Sequence, residues 1–204
     1  MNTFFSSNPP GVTEALRKKS VFVAGAGGLG SNVCFMLVRT GIENITVIDF
    51  DVVEPSNLNR QQYFRDQVGM PKVVALKENL LRINPDLKIN AIQQKLTAEN
   101  CRALVPADVD LIFECFDQAE AKAMLAAFAL SFRPEVPTIA VSGLAGLGPC
   151  EDITVTRGIG QLYIVGDGVS EMNSETGTIA SRVMQVSAMQ AHLGLRLLLD
   201  LPAK

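Results

Sequence analysis

Gly25-Ala26-Gly27-Gly28-Leu29-Gly30 forms a G-x-G-x-x-G run between a β-rich segment and a helical one. Such a turn lets backbone approach phosphate oxygens, and the helix that follows offers unpaired first-turn N–H groups. Asp49 ends the next β-rich run about 20 residues further on, where an acid reaches ribose hydroxyls. These features alone suit an NAD-binding dehydrogenase equally well. The stretch from Asp49 through Asp51, Asn57 and Arg60 to Gln61 is unusually polar for a strand-to-helix crossover, and a dinucleotide has no evident need of it. Gly69, Pro71 and Lys72 then open a helix, and Asp117 follows the strand Val109–Phe113. Arg60, Lys72, Asp51 and Asp117 thus fall near one sheet edge beside a phosphate-binding turn. The cations can neutralise phosphate oxygens and the acids can hold Mg²⁺, which suits a triphosphate carried with a divalent metal.

The elements that position these residues follow from apolar spacing and breakers. Ser20–Ala24, Asn44–Phe50, Lys88–Gln93, Val109–Phe113 and Pro137–Val141 read as strands. Leu29–Arg39, Pro71–Ile83, a short Ala98–Leu104 and the alanine-rich Ala119–Phe132 read as helices, stopped in turn by breakers such as Gly41 and Pro134. The alternation predicts an α/β fold: a Rossmann-like, doubly wound, mainly parallel sheet with ligands at the carboxyl ends of its strands. Beyond it, Asp152–Thr156 and Gln161–Val165 read as an antiparallel hairpin joined by Arg157–Gly160. A final helix spans about Thr178–Leu199, with Ile179, Val183, Val186, Gln190, Leu193 and Leu197 on one stripe, facing the sheet or a second copy.

The 204 residues are 48% apolar and 19% charged, which suits one folded domain over 1–204, with 1–13 an extended or poorly ordered N-terminus. A net charge of -3 and no long basic run argue against nucleic-acid binding. There is no signal-peptide pattern and no apolar stretch long enough for a bilayer, so no membrane association and a cytoplasmic location are expected. The four cysteines, Cys34, Cys101, Cys115 and Cys150, include no C-x-x-C pair, so no zinc is expected.

On these motifs the sequence resembles the ThiF/MoeB/HesA family of ubiquitin-activating-type adenylyltransferases. The matching residues are Glu14-Ala15-Leu16, Gly25–Gly30, Asp49–Gln61, Gly69–Lys72, Arg82-Ile83-Asn84-Pro85 and Asp117, spanning about Glu14 to Val155. The block Ser56-Asn57-Leu58-Asn59-Arg60-Gln61 is the most specific of them. Leu162–Asp167, with Ser181-Arg182-Val183 and Ala191-His192, is similar to the compact ThiF-type proteins of thiamine biosynthesis. The resemblance implies that Gly25, Gly27, Gly28 and Gly30 surround ATP and that Asp49 binds its ribose. Asn57, Arg60, Gln61 and Lys72 would contact phosphates, and Asp117 would bind Mg²⁺. It implies adenylation of the C-terminal Gly-Gly carboxylate of a small ubiquitin-like sulfur-carrier protein, with pyrophosphate released, by a homodimer. The family's Asp-x-x-Asp becomes Glu114-Cys115-Phe116-Asp117 here, its four zinc cysteines are absent, and its arginine-bearing N-terminal extension is not recognisable.

Other residues have plainer readings. Cys34 and Cys115 read as core, and Cys150 as an exposed loop thiol. His192 reads as structural or interfacial, Arg157 and Arg182 as surface charges, and Arg17-Lys18-Lys19 as a solvated turn. Gly143–Gly148 is either a wall of the site or a plain loop. Three other functions stay open: an NAD-binding protein, a non-catalytic scaffold, and action on a tRNA base.

Overall fold

A computed structural model of the chain describes residues 3–173 and 175–203. After a 3-10 turn at Thr3–Phe5 the chain runs α1 (Val12–Leu16), β1 (Ser20–Ala24), α2 (Gly28–Thr40), β2 (Asn44–Ile48), α3 (Lys72–Leu81), β3 (Lys88–Ile92) and α4 (Cys101–Leu104). It continues through β4 (Leu111–Glu114), α5 (Ala119–Phe132), β5 (Thr138–Val141), β6 (Thr154–Arg157), β7 (Leu162–Gly166) and α6 (Ala180–Leu198). The seven strands form one sheet in the order β3-β2-β1-β4-β5-β7-β6. Every pairing is parallel except β6 with β7. The expected hairpin is present, but its second strand, β7, inserts beside β5 and leaves β6 at the edge.

β1 lies in the interior of the sheet, where its apolar run suits burial on both faces. Val21 and Val23 enter the core shared with α2, α3 and α6, while Phe22 and Ala24 enter the core shared with α4 and α5. The chain builds β2 and β3 on one side of β1, then β4 and β5 on the other. This reversal opens a crevice at the carboxyl ends of β1 and β4, the usual ligand position in such sheets.

Val183, Val186, Gln190 and Leu193 of α6 are buried, whereas Ile179 is exposed. Most of the apolar stripe therefore packs within the chain and leaves little for a second copy. Gly194 lets α6 lie close on β4: a Cβ there would come 2.5 Å from the Phe113 ring. The segment 1–13 also differs from an extended arm where it is described. Phe5 is buried, and the Asn8 amide donates to Thr13 Oγ1 and to the Thr40 carbonyl, each across 2.9 Å. Met1 and Asn2 lie outside the described residues. Among the described residues no helix is long and apolar enough to cross a membrane.

Candidate nucleotide site

The glycines of the turn after β1 have distinct duties. Gly25 has φ +103, a region that L side chains rarely enter, and a Cβ there would sit 2.7 Å from the Cys115 carbonyl oxygen at the end of β4. A Cβ on Gly30 would overlap the Gly25 carbonyl, so this glycine lets α2 start directly on the turn. Gly28 has Val183 Cγ1 only 3.1 Å from the place of a Cβ, and Arg60 Cγ at 3.6 Å. Gly27 is the open position. A Cβ there would meet only Gln61 Nε2, at 3.9 Å. Three glycines thus shape the turn, and Gly27 leaves the cradle free beside the unpaired N–H groups of the first turn of α2.

Asp49 closes the next side. Its Oδ2 accepts from the Ala26 N–H across 2.6 Å, and its Oδ1 accepts from the Asp51 N–H across 2.8 Å. Asp51 in turn holds the Lys72 ammonium at 2.8 Å. Lys72 is buried at the start of α3, while the Asp51 side chain is 47% exposed. Lys72 and Asp51, read from the sequence as separate groups for phosphate and metal, are partners in the structure.

The block from Asn57 to Gln61 folds against the turn. Asn57 is buried and serves its own loop: its Oδ1 accepts from the Glu54 N–H at 3.0 Å, and its carbonyl accepts from the N–H groups of Arg60 and Gln61. Asn57 thereby shapes the turn that presents its neighbours. Arg60 Nη1 donates to the Ser56 carbonyl at 3.0 Å and to Asn59 Oδ1 at 2.8 Å. Gln61 is buried beside Gly27, and its Oε1 has no partner. The amide's other end, Nε2, is the atom nearest Gly27 and offers a donor to the open cradle.

Sequence reading missed the residues that lock this block in place. The Tyr63 hydroxyl donates to the Ala26 carbonyl at 2.6 Å. Asn32 Nδ2 donates to the carbonyls of Gly28 and Arg60, and its Oδ1 accepts from Gln62 Nε2. Burial, aided by the nearby Asp49 charge, pushes the Tyr63 hydroxyl well above its ordinary value, so it remains a donor. Two buried polar residues, Ser31 and Asn32, in the first turn of an otherwise apolar helix were the available signal.

Asp117 leaves the end of β4 exposed and, among the described residues, without a hydrogen-bonding or ion-pair partner. Glu114, three residues earlier, differs completely. It is 1% exposed, and both its oxygens accept from the Lys122 ammonium of α5, at 3.1 and 3.0 Å. It also accepts from the N–H groups of Phe116 and Val141. Burial raises its carboxyl above the ordinary value, against the opposing pull of Lys122. Glu114 therefore fixes the segment that carries Asp117.

The remaining expectations sort by burial. Burial pushes the Cys34 thiol up to about 12 and the Cys115 thiol well above its ordinary value, so neither is an available thiolate. Cys150 and His192 are exposed. Arg182, expected at the surface, is 5% exposed and ion-paired with Asp167 at 2.7 Å. Among the described residues no three His, Cys, Asp or Glu side chains gather to hold a metal.

The family model described as ThiF family matches residues 2–204. The chain belongs to the ThiF family. Among relatives of this ThiF-family chain, the molybdopterin-synthase adenylyltransferase of Escherichia coli is 38% identical over 133 residues, covering 65% of this chain and 51% of that protein. Ubiquitin-like modifier-activating enzyme 5 of Caenorhabditis elegans is 35% identical over 119 residues, covering 53% of this chain and 28% of that enzyme. The chain spans about half the length, or less, of these curated relatives. The ThiF-family fold is also that of E. coli tRNA N6-threonylcarbamoyladenosine dehydratase in complex with ATP: TM-score 0.86 and 22% identity, over 97% of this chain and 92% of that one. E. coli MccB with ATP follows at TM-score 0.70 and 22% identity, over 92% and 58%.

Proposed function

We propose that this chain uses ATP to adenylate the C-terminal Gly-Gly carboxylate of a small ubiquitin-like sulfur-carrier protein, within thiamine biosynthesis. The observation that carries the nucleotide part is the open cradle at Gly27. It is flanked by Asp49, held between two backbone N–H groups, and by the Gln61 Nε2 donor. The free space, the first-turn N–H groups of α2 and the Gln61 Nε2 donor fit a phosphate chain, with the ribose hydroxyls toward Asp49. The relatives named above support carboxylate activation; the thiamine-type sulfur carrier rests on the resemblance of Leu162–Asp167 and the last helix.

In this reading a carboxylate oxygen of the carrier attacks the α-phosphorus of ATP. An O–P bond forms to the carrier, the bond to the β-phosphate oxygen breaks, and pyrophosphate leaves. The protein needs no nucleophile, since catalysis of this kind is positioning and charge stabilisation. Gly27 and the first turn of α2 receive the phosphates. Arg60 swings from its own loop, and Lys72 shares its charge between Asp51 and the departing oxygens. Asp117 would hold Mg²⁺, and the ion would supply charge neutralisation for the phosphates. Exposed and unpartnered, Asp117 fits that role without a larger acid cluster. We propose a homodimer on the family resemblance alone.

The deciding experiment is ATP–pyrophosphate exchange with carriers ending in Gly-Gly, with carrier omission as control. Exchange that needs the carrier is expected. ATP binding without exchange for any Gly-Gly carrier would reject the reading.

A further inference from the structure

Asp167 and Arg182 form a buried ion pair that the proposed chemistry does not use, and it joins three separate parts of the chain. Asp167 follows β7. Its Oδ1 accepts from the N–H groups of Val169 and Ser170, and its Oδ2 accepts from the Ser170 hydroxyl and from Arg182 Nη2. Arg182 lies in the first turn of α6, and its Nη1 donates to the carbonyls of Gly148 and Pro149, at 2.8 and 3.1 Å, in the loop after β5. The two loops are stitched further. Gly168 N–H donates to the Ser142 carbonyl, Ala145 N–H to Ser170 Oγ, and Gly146 N–H to the Gly177 carbonyl. The next residue on α6, Val183, stands against Gly28 of the nucleotide turn. One turn of one helix therefore fixes a two-loop wall with Arg182 and touches the phosphate cradle with Val183.

The wall's place says which substrate it serves. Asp49 draws the nucleoside toward β2, on one side of β1. The wall rises from the carboxyl ends of β5 and β7, on the other side. Its two loops carry Leu147 and Val169, each 83% exposed. We propose that Arg182 is a positioning residue that holds this wall at a set distance from the nucleotide turn, so that the acceptor carboxylate meets the α-phosphate. The role rests on the adenylation reading, because that reading supplies the acceptor.

Arg182→Lys keeps the charge but loses the planar fork that holds Asp167 and two carbonyls together. The expected protein binds ATP as the wild type does, while its KM for the carrier rises about tenfold, the scale of one lost charge-assisted hydrogen bond. Hydrogen exchange at Ala145, Gly146 and Gly168 should quicken together. If Arg182→Lys does not fold, Gly148→Ala serves instead. Its Cβ would stand 3.0 Å from Arg182 Nη2 and push the guanidinium by a few tenths of an ångström with every charge retained. A rise in carrier KM in the same direction, smaller than that of Arg182→Lys, is expected. A folded, active variant with wild-type KM for the carrier, or exchange that quickens in one loop alone, would overturn the positioning role and leave adenylation standing. A wild-type protein that binds ATP but shows no carrier-dependent exchange would overturn adenylation, and the acceptor role with it.

Discussion

The Ala26 N–H donates to Asp49 Oδ2 across 2.6 Å, so the acid at the end of β2 is fastened to the turn after β1. This bond makes Asp49 a structural part of the cradle. Asp49→Ala should weaken ATP binding by about tenfold or more, since charge-assisted hydrogen bonds are lost on both sides. Titration calorimetry against ATP and NAD checks this. The wild type should bind ATP far better than NAD; tight NAD binding without ATP binding would defeat the adenylation reading.

Asp117 and Lys72 should separate by their cost to folding. Asp117 is exposed and unpartnered, so Asp117→Ala should leave the melting curve within roughly 0.5 kcal/mol of wild type. Carrier-dependent pyrophosphate exchange should fall about 10²–10³-fold. Lys72→Ala should lose exchange and also melt earlier, because Lys72 is buried and its loss leaves Asp51 without its cation. Wild-type exchange in a folded Asp117→Ala protein would remove Asp117 from the metal site.

Glu114→Ala should be a folding variant. It strands Lys122 and the N–H groups of Phe116 and Val141, and breaking a buried pair of this kind costs about 3–5 kcal/mol. Urea denaturation measures it. A change below about 1 kcal/mol would mean that Glu114 does not anchor the Asp117 segment.

The Asp167–Arg182 pair should appear in the acid limb of stability. Burial alone would raise the Asp167 carboxyl, but the N–H groups of Ser170 and Val169, the Ser170 hydroxyl and Arg182 together hold it below the ordinary 3.8. The unfolded chain therefore binds this proton at a higher pH than the folded one. The stabilisation is complete above about pH 4 and is lost as the pH falls further. Asp167→Asn should lower the melting temperature at pH 7 and flatten this acid dependence. Thermal melts from pH 7 to pH 2.5 on both proteins check the difference; parallel curves would count against it.

The strands and helices around the site were legible because each has a local signature. Ser20–Ala24 is a short β-rich run with four consecutive apolar residues, and Ala119–Phe132 is alanine-rich with a proline just past its end; both are observed at those bounds. The G-x-G-x-x-G turn likewise gave itself away, though not the division of labour among its glycines. That division depends on Cys115 and Val183, which come together with it only in the folded chain. Long-range polar pairs were illegible for the same reason. Arg182 looked like a surface charge because its partner lies fifteen positions earlier, in a loop with no periodic pattern. Lys72 and Asp51 were each recognised, but their mutual pairing depends on α3 returning to the end of β2. The apolar stripe of α6 showed that something covers it, and only the fold showed that the chain's own core does.

Val183, which touches Gly28, belongs to the last helix of the chain, whereas the turn it completes belongs to the first strand and helix. During synthesis the glycine turn can form early, since chains fold from the N-terminus as they emerge at about 5–20 residues per second. Its back wall arrives only with α6, after all seven strands have been made. Nascent chains ending before Ala180 should therefore hold the sheet order of the first half yet capture no nucleotide. Nucleotide capture would in that sense report that α6 has docked on the turn.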